Sequence, residues 1–335
     1  MKKLVKAALL IGLGCVCSVI YAHTTTPYKK TLGRESGTTS SLNKTNDEYY
    51  NNQWAINFTD SDRVWPLILQ KKEVKVAVID TGVDYTHPDL KNRVLVDEGY
   101  DFVNNKKLAM DDNWHGTHVA GIIAAEANNG IGITGIVGPL DVKIVPIKVG
   151  DKNGQVYSDA VAEGIKYAAD KGVDIINLSI DFQVRDNSII EAEGYAAKKG
   201  VFIVAASGNS NSNCDLYSPA GDDNVYTVAS VDPNYEKSVY SSFGQAVQIS
   251  APGSDIMSTV PGGRYDLRSG TSMAAPIVTG IAAMLKAEDP ELTPQALKKI
   301  LNDSALKIDG NIKRNDIGYG VVNAVKAIGE LKGIS

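Results

Sequence analysis

Three side chains of complementary chemistry stand at the ends of apolar segments. Asp80 follows the run Val74–Ile79 and precedes Thr81-Gly82, so it sits where a strand enters a turn. His115 and His118 lie three apart in His-Gly-Thr-His-Val-Ala-Gly, at the start of a helical stretch. Ser272 lies in Ser269-Gly270-Thr271-Ser272-Met273 at the head of a long apolar helix, with Pro276 four residues on and expected within the first turn. Each alone has a plain explanation: a turn aspartate, a helix with one capping and one buried histidine, an N-cap serine. The histidines could also bind zinc, although zinc helices use His at i and i+4 with Glu between, and here Gly116 and Thr117 intervene. Taken together, carboxylate, imidazole and hydroxyl are the parts of a serine nucleophile: a weak hydroxyl needs a base, and the base needs an orienting acid.

The elements that must position them alternate. Strands are expected at Val74–Ile79, Lys143–Val149, Asp174–Leu178, Val201–Ala206, Val225–Val231 and Val247–Ser250. Helices are expected at His115–Ala127, Ser158–Lys171 (capped by Ser158), Ser188–Lys199, Thr271–Ala287, Thr293–Leu301 and Val321–Leu331. Fully apolar strands alternating with helices predict a doubly wound α/β domain, its mostly parallel sheet covered by helices on both faces. Such a sheet places its site beyond the carboxyl ends of the strands.

The chain resembles the subtilisin-like serine proteases (subtilases). Four ordered motifs carry the likeness: Val78-Ile79-Asp80-Thr81-Gly82, His115-Gly116-Thr117-His118-Val119-Ala120-Gly121, Ala205-Ala206-Ser207-Gly208-Asn209 and Gly270-Thr271-Ser272-Met273-Ala274-Ala275-Pro276. The resemblance runs from about Asn46 to the C-terminus. It implies a serine endopeptidase acting on peptide or protein substrates through an acyl-enzyme. Ser272 would be the nucleophile, His115 the general base and acid, and Asp80 the group that orients the imidazole. Asn209, with the Ser272 backbone N–H, would form the oxyanion hole. His118 would be a buried packing residue.

Substrate recognition follows from the same resemblance. Two extended segments would pair with the peptide backbone: Lys152-Asn153-Gly154-Gln155 and Ser179-Ile180-Asp181. The family usually has glycine where Asp181 stands. Gly208 borders the main specificity pocket, and Asp215 and Tyr217 belong to the segment expected to form its floor. Two carboxylates there would favour Lys or Arg, unless both point to solvent. Asp112 could add a basic preference next door. A structural Ca²⁺ is implied by Asp47, Asp89 and the loop Ala127-Asn128-Asn129-Gly130-Ile131-Gly132-Ile133, with Asn129 and the carbonyls of Ala127, Ile131 and Ile133 completing an oxygen set. Cys214 would be an exposed thiol in a polar loop. The rival classes are a metallohydrolase using His115 and His118, which lacks the glutamate and a third ligand, and a non-enzymatic binding module, although no member of the Asp/His/Ser set is missing.

Ahead of this domain, residues 1–22 read as a secretory signal peptide: Lys2, Lys3 and Lys6, an uncharged run of 16 residues from Ala7, and Ala22 before a cut at His23. Residues 23–45 read as a polar linker or short pro-segment, and residues 46–335 as the single catalytic domain. So short a pro-segment points towards a dedicated processing or leader peptidase as the alternative to a general scavenger. Loss of the signal shifts the net charge from −5 to −8 and leaves Cys214 as the one cysteine, so no internal disulfide is expected. With 43% apolar and 22% charged residues, composition excludes a disordered chain and a multi-spanning membrane protein. The mild acidic balance offers no surface for nucleic acid. The mature protein is expected to be a secreted monomer.

Overall fold

The computed structural model describes residues 44–308 and 313–334. The expected signal, residues 1–22, lies outside them, as does the 23–45 segment except for its last two residues. Seven strands form one parallel sheet: β1 (Val74–Asp80), β2 (Tyr100–Asp101), β3 (Val142–Lys148), β4 (Ile175–Leu178), β5 (Phe202–Ala206), β6 (Val225–Val231) and β7 (Val247–Pro252). Their order is β2-β3-β1-β4-β5-β6-β7. Nearly every strand residue is buried, because both faces carry helices. Val76 and Val78 of β1 face one layer, and Ala77 and Ile79 face the other. The first layer holds α3 (His115–Ala124), α6 (Thr271–Glu288), α7 (Pro294–Asp303) and α9 (Ala324–Lys332). The second holds α4 (Ser158–Asp170) and α5 (Asn187–Lys198). Among the described residues, no helix is long and apolar enough to cross a membrane.

After β1 the chain lays the edge strand β2, fills in β3 between β2 and β1, then crosses to lay β4 on the other side of β1. That reversal opens a crevice at the carboxyl ends of β1 and β4, where doubly wound sheets bind their ligands. Register sharpens the placement. Val78 of β1 pairs with Asn177 of β4, so the same alignment carried two residues further sets Asp80 beside Ser179. Leu178 pairs with Ala205, which brings the 207–209 segment to the next position along.

Several expectations shift. The helix begun at His115 ends at Ala124, not Ala127, and Ala127 lies in the turn that follows. Ser158 is the first residue of α4, not its cap, and Tyr157 before it makes no side-chain cap bond. The last helix starts at Ala324, after Asn323 accepts a hydrogen bond from the Lys326 N–H. Pro276 is the sixth residue of α6, beyond the first turn, so the Ser272 carbonyl loses its i+4 N–H donor. The antiparallel hairpin β8 (Ile256–Val260) and β9 (Arg264–Arg268), joined at Pro261-Gly262-Gly263, was not expected. Nor were the short helices α1 (Trp54–Phe58), α2 (Ser61–Val64) and α8 (Arg314–Ile317), which are too brief to show a helical period. Cys214 is wholly buried against Ala220, Ala229 and Val247, and burial pushes its thiol up to about 12.

One buried charge-bearing group lies far from the crevice. Glu193 of α5 is fully buried, and neither carboxyl oxygen meets a hydrogen-bond partner. Burial and then the like charge of Asp222 push it up to about 9, against the pull of Arg185. The folded protein therefore keeps a proton that the unfolded chain releases above about 4.5. Stability should fall between those two pH values, by up to about 1.4 kcal/mol per pH unit. Glu193→Gln cannot ionise. Its stability in urea should gain on the parent steadily from pH 5 to pH 9, whereas a pH-independent difference would show that Glu193 does not titrate in that window.

Candidate active site

Asp80 ends β1 with 1% of its surface exposed, and His115 opens α3 with 7%. His115 Nδ1–H donates to both Asp80 oxygens, at 2.8 and 2.9 Å. The Thr81 N–H donates to Asp80 Oδ1 at 2.7 Å. Burial alone would lower the imidazole pKa. The charge and hydrogen bond of Asp80, helped by the charge of Asp111, outweigh it, and the net shift is upward. Trp114 stands edge-to-face against His115, ring centroids 5.2 Å apart, and the Arg268 guanidinium lies 4.4 Å over the indole. This stack covers the imidazole on the hairpin side.

Residues that sequence reading missed hold the pair in place. Thr81 Oγ1 accepts from the Gly116 N–H and donates to Asp111 Oδ1. Asp111 Oδ2 takes the Thr117 N–H and hydroxyl. Lys148, 1% exposed and paired in register with Asp80, donates to the carbonyls of Thr81 and Gly150, each at 2.7 Å. It also reaches Asp112 at 2.6 Å, so Asp112 neutralises a strand-end lysine instead of adding a free acid beside the cleft. Gly116 has no alternative: a Cβ there would stand 2.0 Å from the Gly82 carbonyl. The signal for this cluster was present in Asp80-Thr81-Gly82 and His115-Gly116-Thr117, but the partners Asp111 and Lys148 are set only by folding.

Ser272 is the second residue of α6, a helix buried along nearly its whole length. Its hydroxyl donates to the Ser179 carbonyl at 3.0 Å, and no hydrogen bond joins it to His115 in this conformation. Asn209 Oδ1 accepts from the Thr271 N–H at 2.8 Å and the Thr271 hydroxyl at 3.0 Å. That contact turns the amide Nδ2–H₂ group away from Thr271 and leaves it as the free end. The Asn209 side chain is thus tied to the N-terminus of α6, beside Ser272.

The expected recognition residues divide. Ser179, Ile180 and Asp181 continue past β4 without helix or turn. Residues 152–155 do not. Asp151 accepts from the N–H groups of Asn153 and Gln155, and the Gly154 N–H reaches the Asp151 carbonyl, so residues 151–154 form a tight turn with Lys152 and Asn153 at its centre. Asp181 Oδ2 lies 3.2 Å from where a Cβ on Gly208 would stand. Burial raises the Asp181 carboxyl, and among the described residues nothing hydrogen-bonds or ion-pairs with it. Asp215 differs: its Oδ1 accepts the Ala246 N–H at 2.9 Å, which makes it a clasp between two loops. The Tyr217 hydroxyl is held by Ser212 at 2.5 Å. Of these two acids, Asp181 is the one without a hydrogen-bond partner among the described residues.

Asp47 and Asp89 converge on the 127–133 loop. Asp47 accepts from the N–H groups of Asn128 and Asn129, both at 3.0 Å, and from Gly130 and Thr134. Asp89 accepts from Asn129 Nδ2 at 2.6 Å, Ile133 N–H at 3.0 Å and Tyr265 OH at 2.9 Å, and burial raises its carboxyl. A Cβ on Gly132 would lie 2.2 Å from Asp89 Oδ2. Among the described residues no cation pairs with either carboxylate, and no cluster of three or more His, Cys, Asp or Glu could hold a metal. Both carboxylates are met by N–H and O–H donors, and the Asn129 amide oxygen accepts from the Ile131 N–H, so the loop is closed on itself by hydrogen bonds. The zinc alternative fails on ligand number: among the described residues no third His, Cys, Asp or Glu joins His115 and His118 in a group that could hold a metal. Burial drives the His118 pKa down to about 3, and it is a packed core residue.

Comparison with known proteins agrees with this geometry. The model of the subtilase family (Peptidase_S8) matches residues 71–320. A thermophilic serine proteinase of Bacillus sp. (strain AK1) is 40% identical over 284 residues, covering 84% of this chain and 69% of its own. Thermitase of Thermoactinomyces vulgaris is 38% identical over 284 residues, covering 84% of this chain and 98% of its own. A solved protease from Pseudoalteromonas arctica superposes with a TM-score of 0.79 at 29% identity, over 86% of this chain and 99% of that one. A parallel sheet with its crevice at β1 and β4, a buried Asp–His pair and a serine at the head of the central helix are thus features of a serine endopeptidase, and the chain belongs to the subtilase family.

Proposed function

We propose that Ser272 is the nucleophile of an exported endopeptidase, with His115 as base and Asp80 as its orienting acid. The observation that carries this is the buried two-oxygen contact of Asp80 with His115 Nδ1, one strand away from the segment that holds Ser272. That contact leaves Nε2 to act. A rotation about the Ser272 Cα–Cβ bond would move its hydroxyl from the Ser179 carbonyl to Nε2. Nε2 takes the proton as Oγ bonds to the substrate carbonyl, then gives it to the departing amine. The Asn209 amide and the Ser272 N–H receive the oxyanion. Water repeats the sequence on the acyl-enzyme and releases the acid. Export through residues 1–22, with 23–45 a linker or short pro-segment before the domain at 46–335, and a monomeric mature form belong to the same reading.

A fluorophosphonate probe should label Ser272 and no other serine; absence of label there would end this reading. The raised His115 pKa predicts an acid limb of kcat/KM above pH 6.5, since the imidazole must be neutral to accept the proton. Asp80→Asn should move that limb to lower pH and cost about 10⁴-fold in kcat. An unmoved limb would count against the assignment of His115 as base.

Specificity rests on Asp181, a partly desolvated acid beside Gly208 with no cation of its own. A lysine or arginine side chain entering that pocket would supply one, which supports narrow processing at basic residues over general degradation. In a peptide-library profile, Asp181→Asn should cut the preference for Lys and Arg over Leu by about tenfold, the size of one charge-assisted contact. An unchanged profile would remove Asp181 from the pocket.

Ca²⁺ is the cation that fits Asp47, Asp89, Asn129 and the carbonyls of Ala127, Ile131 and Ile133. It would neutralise two buried carboxylates and lock the loop; it has no part in the chemistry. Chelation should therefore lower the melting temperature while leaving kcat unchanged well below it. Loss of activity without loss of thermal stability would point to a catalytic metal instead.

A further inference from the structure

A buried polar chain runs from the middle of α6 back to its nucleophile end through β4. Thr279 Oγ1 donates to Asn177 Oδ1 at 2.8 Å. Asn177 Nδ2 donates to Ser179 Oγ at 2.9 Å. Ser179 Oγ donates to the backbone carbonyl of Ser272 at 2.9 Å. Thr279 and Asn177 are wholly buried, and Ser179 is 3% exposed. The carbonyl at the end of the chain is the one that Pro276 deprives of its helical partner. A buried carbonyl without a donor is costly, so the Ser179 hydroxyl does what the missing residue-276 N–H would have done.

We propose that Ser179, oriented by Asn177 and Thr279, is the positioning residue for the nucleophile. It exchanges hydrogen bonds with Ser272 in both directions: its hydroxyl holds the Ser272 carbonyl, and its carbonyl receives the Ser272 hydroxyl. The first fixes the backbone from which Oγ projects. The second holds Oγ on the Ser179 carbonyl. The proline makes the arrangement selective. With no N–H at residue 276, the Ser272 carbonyl is held by Ser179, the residue after β4, and not by its own helix. The backbone at Ser272 is then tied to the strand that neighbours β1. The Ser179 hydroxyl is spent on the Ser272 carbonyl, so its loss acts on the acylation rate, while the Ser179 backbone stays in place for peptide pairing.

This inference rests on Ser272 being the nucleophile, and fluorophosphonate labelling of the parent protein tests that first. The positioning role is then read in full-length variants of confirmed fold. Ser179→Ala should lower kcat and the labelling rate on the order of tenfold, the effect of leaving one buried carbonyl unpaired, with KM little changed. The acid limb of the pH profile should stay in place, because His115 and Asp80 are untouched. Ser179→Thr, which keeps the hydroxyl, should retain most of the rate. Pro276→Ala restores an N–H four residues after Ser272. It should recover several-fold activity in the Ser179→Ala background and do little alone. Equal effects of Pro276→Ala in both backgrounds, or a Ser179→Ala enzyme labelling at the parent rate, would overturn the proposal. Should Ser179→Ala fail to fold, Thr279→Val cuts the far end of the chain, and a labelling rate equal to the parent's would count equally against it.

Discussion

A carboxylate with almost no solvent access, Asp80, is the constraint from which the local architecture follows. Burying such a charge is expensive unless partners meet it from every side. The Thr81 N–H and the His115 ring do so directly. Thr81, Asp111, Thr117 and Lys148 hold those partners by further hydrogen bonds, and Lys148 brings a positive charge to the neighbouring strand end. The upward shift of the His115 pKa follows from the same contact: the Asp80 charge overcomes a burial effect that would otherwise leave the imidazole too weak a base. Removing the acid would therefore cost both the orientation and the basicity of the ring.

The sheet supplies the second half of the geometry. Its chain reversal sets β1 beside β4, and their register aligns Asp80 with Ser179. The Asp–His pair belongs to β1 and α3, and the serine to α6, so nothing in the local chain ties them together. β4 does, through Asn177 and Ser179. Rigid neighbouring strands and a fully buried helix are well suited to hold reacting groups within the small tolerance that catalysis requires.

Much of this was legible along the chain. Uninterrupted apolar runs ending in Asp80 and Ala206 gave the strands, because a strand buried on both faces must be apolar throughout. The motifs around Asp80, His115, Asn209 and Ser272 were readable because catalysis restricts residue types over several consecutive positions. The β8–β9 hairpin was missed although Pro261-Gly262-Gly263 marks it, and α1 and α2 are too short to show a period. Cys214 was misjudged because polar neighbours in sequence do not determine burial. Asp215 and Asp112 were misjudged for a related reason: an acid in a loop has the same letter whether it faces a pocket, the Ala246 amide or Lys148.

The sequence by itself determined the fold class and the family and singled out the candidate side chains, since each depends on residue type and local order. Tertiary structure alone decided which groups are in contact. It paired Asp80 with Lys148 across strands, turned the amide of Asn209 by way of Thr271, left Asp181 the one uncompensated acid beside Gly208, and gave Ser179 the carbonyl that Pro276 had orphaned. Those contacts join residues 27 to 93 positions apart, and their free energies arise only when burial removes the water that would otherwise satisfy each group.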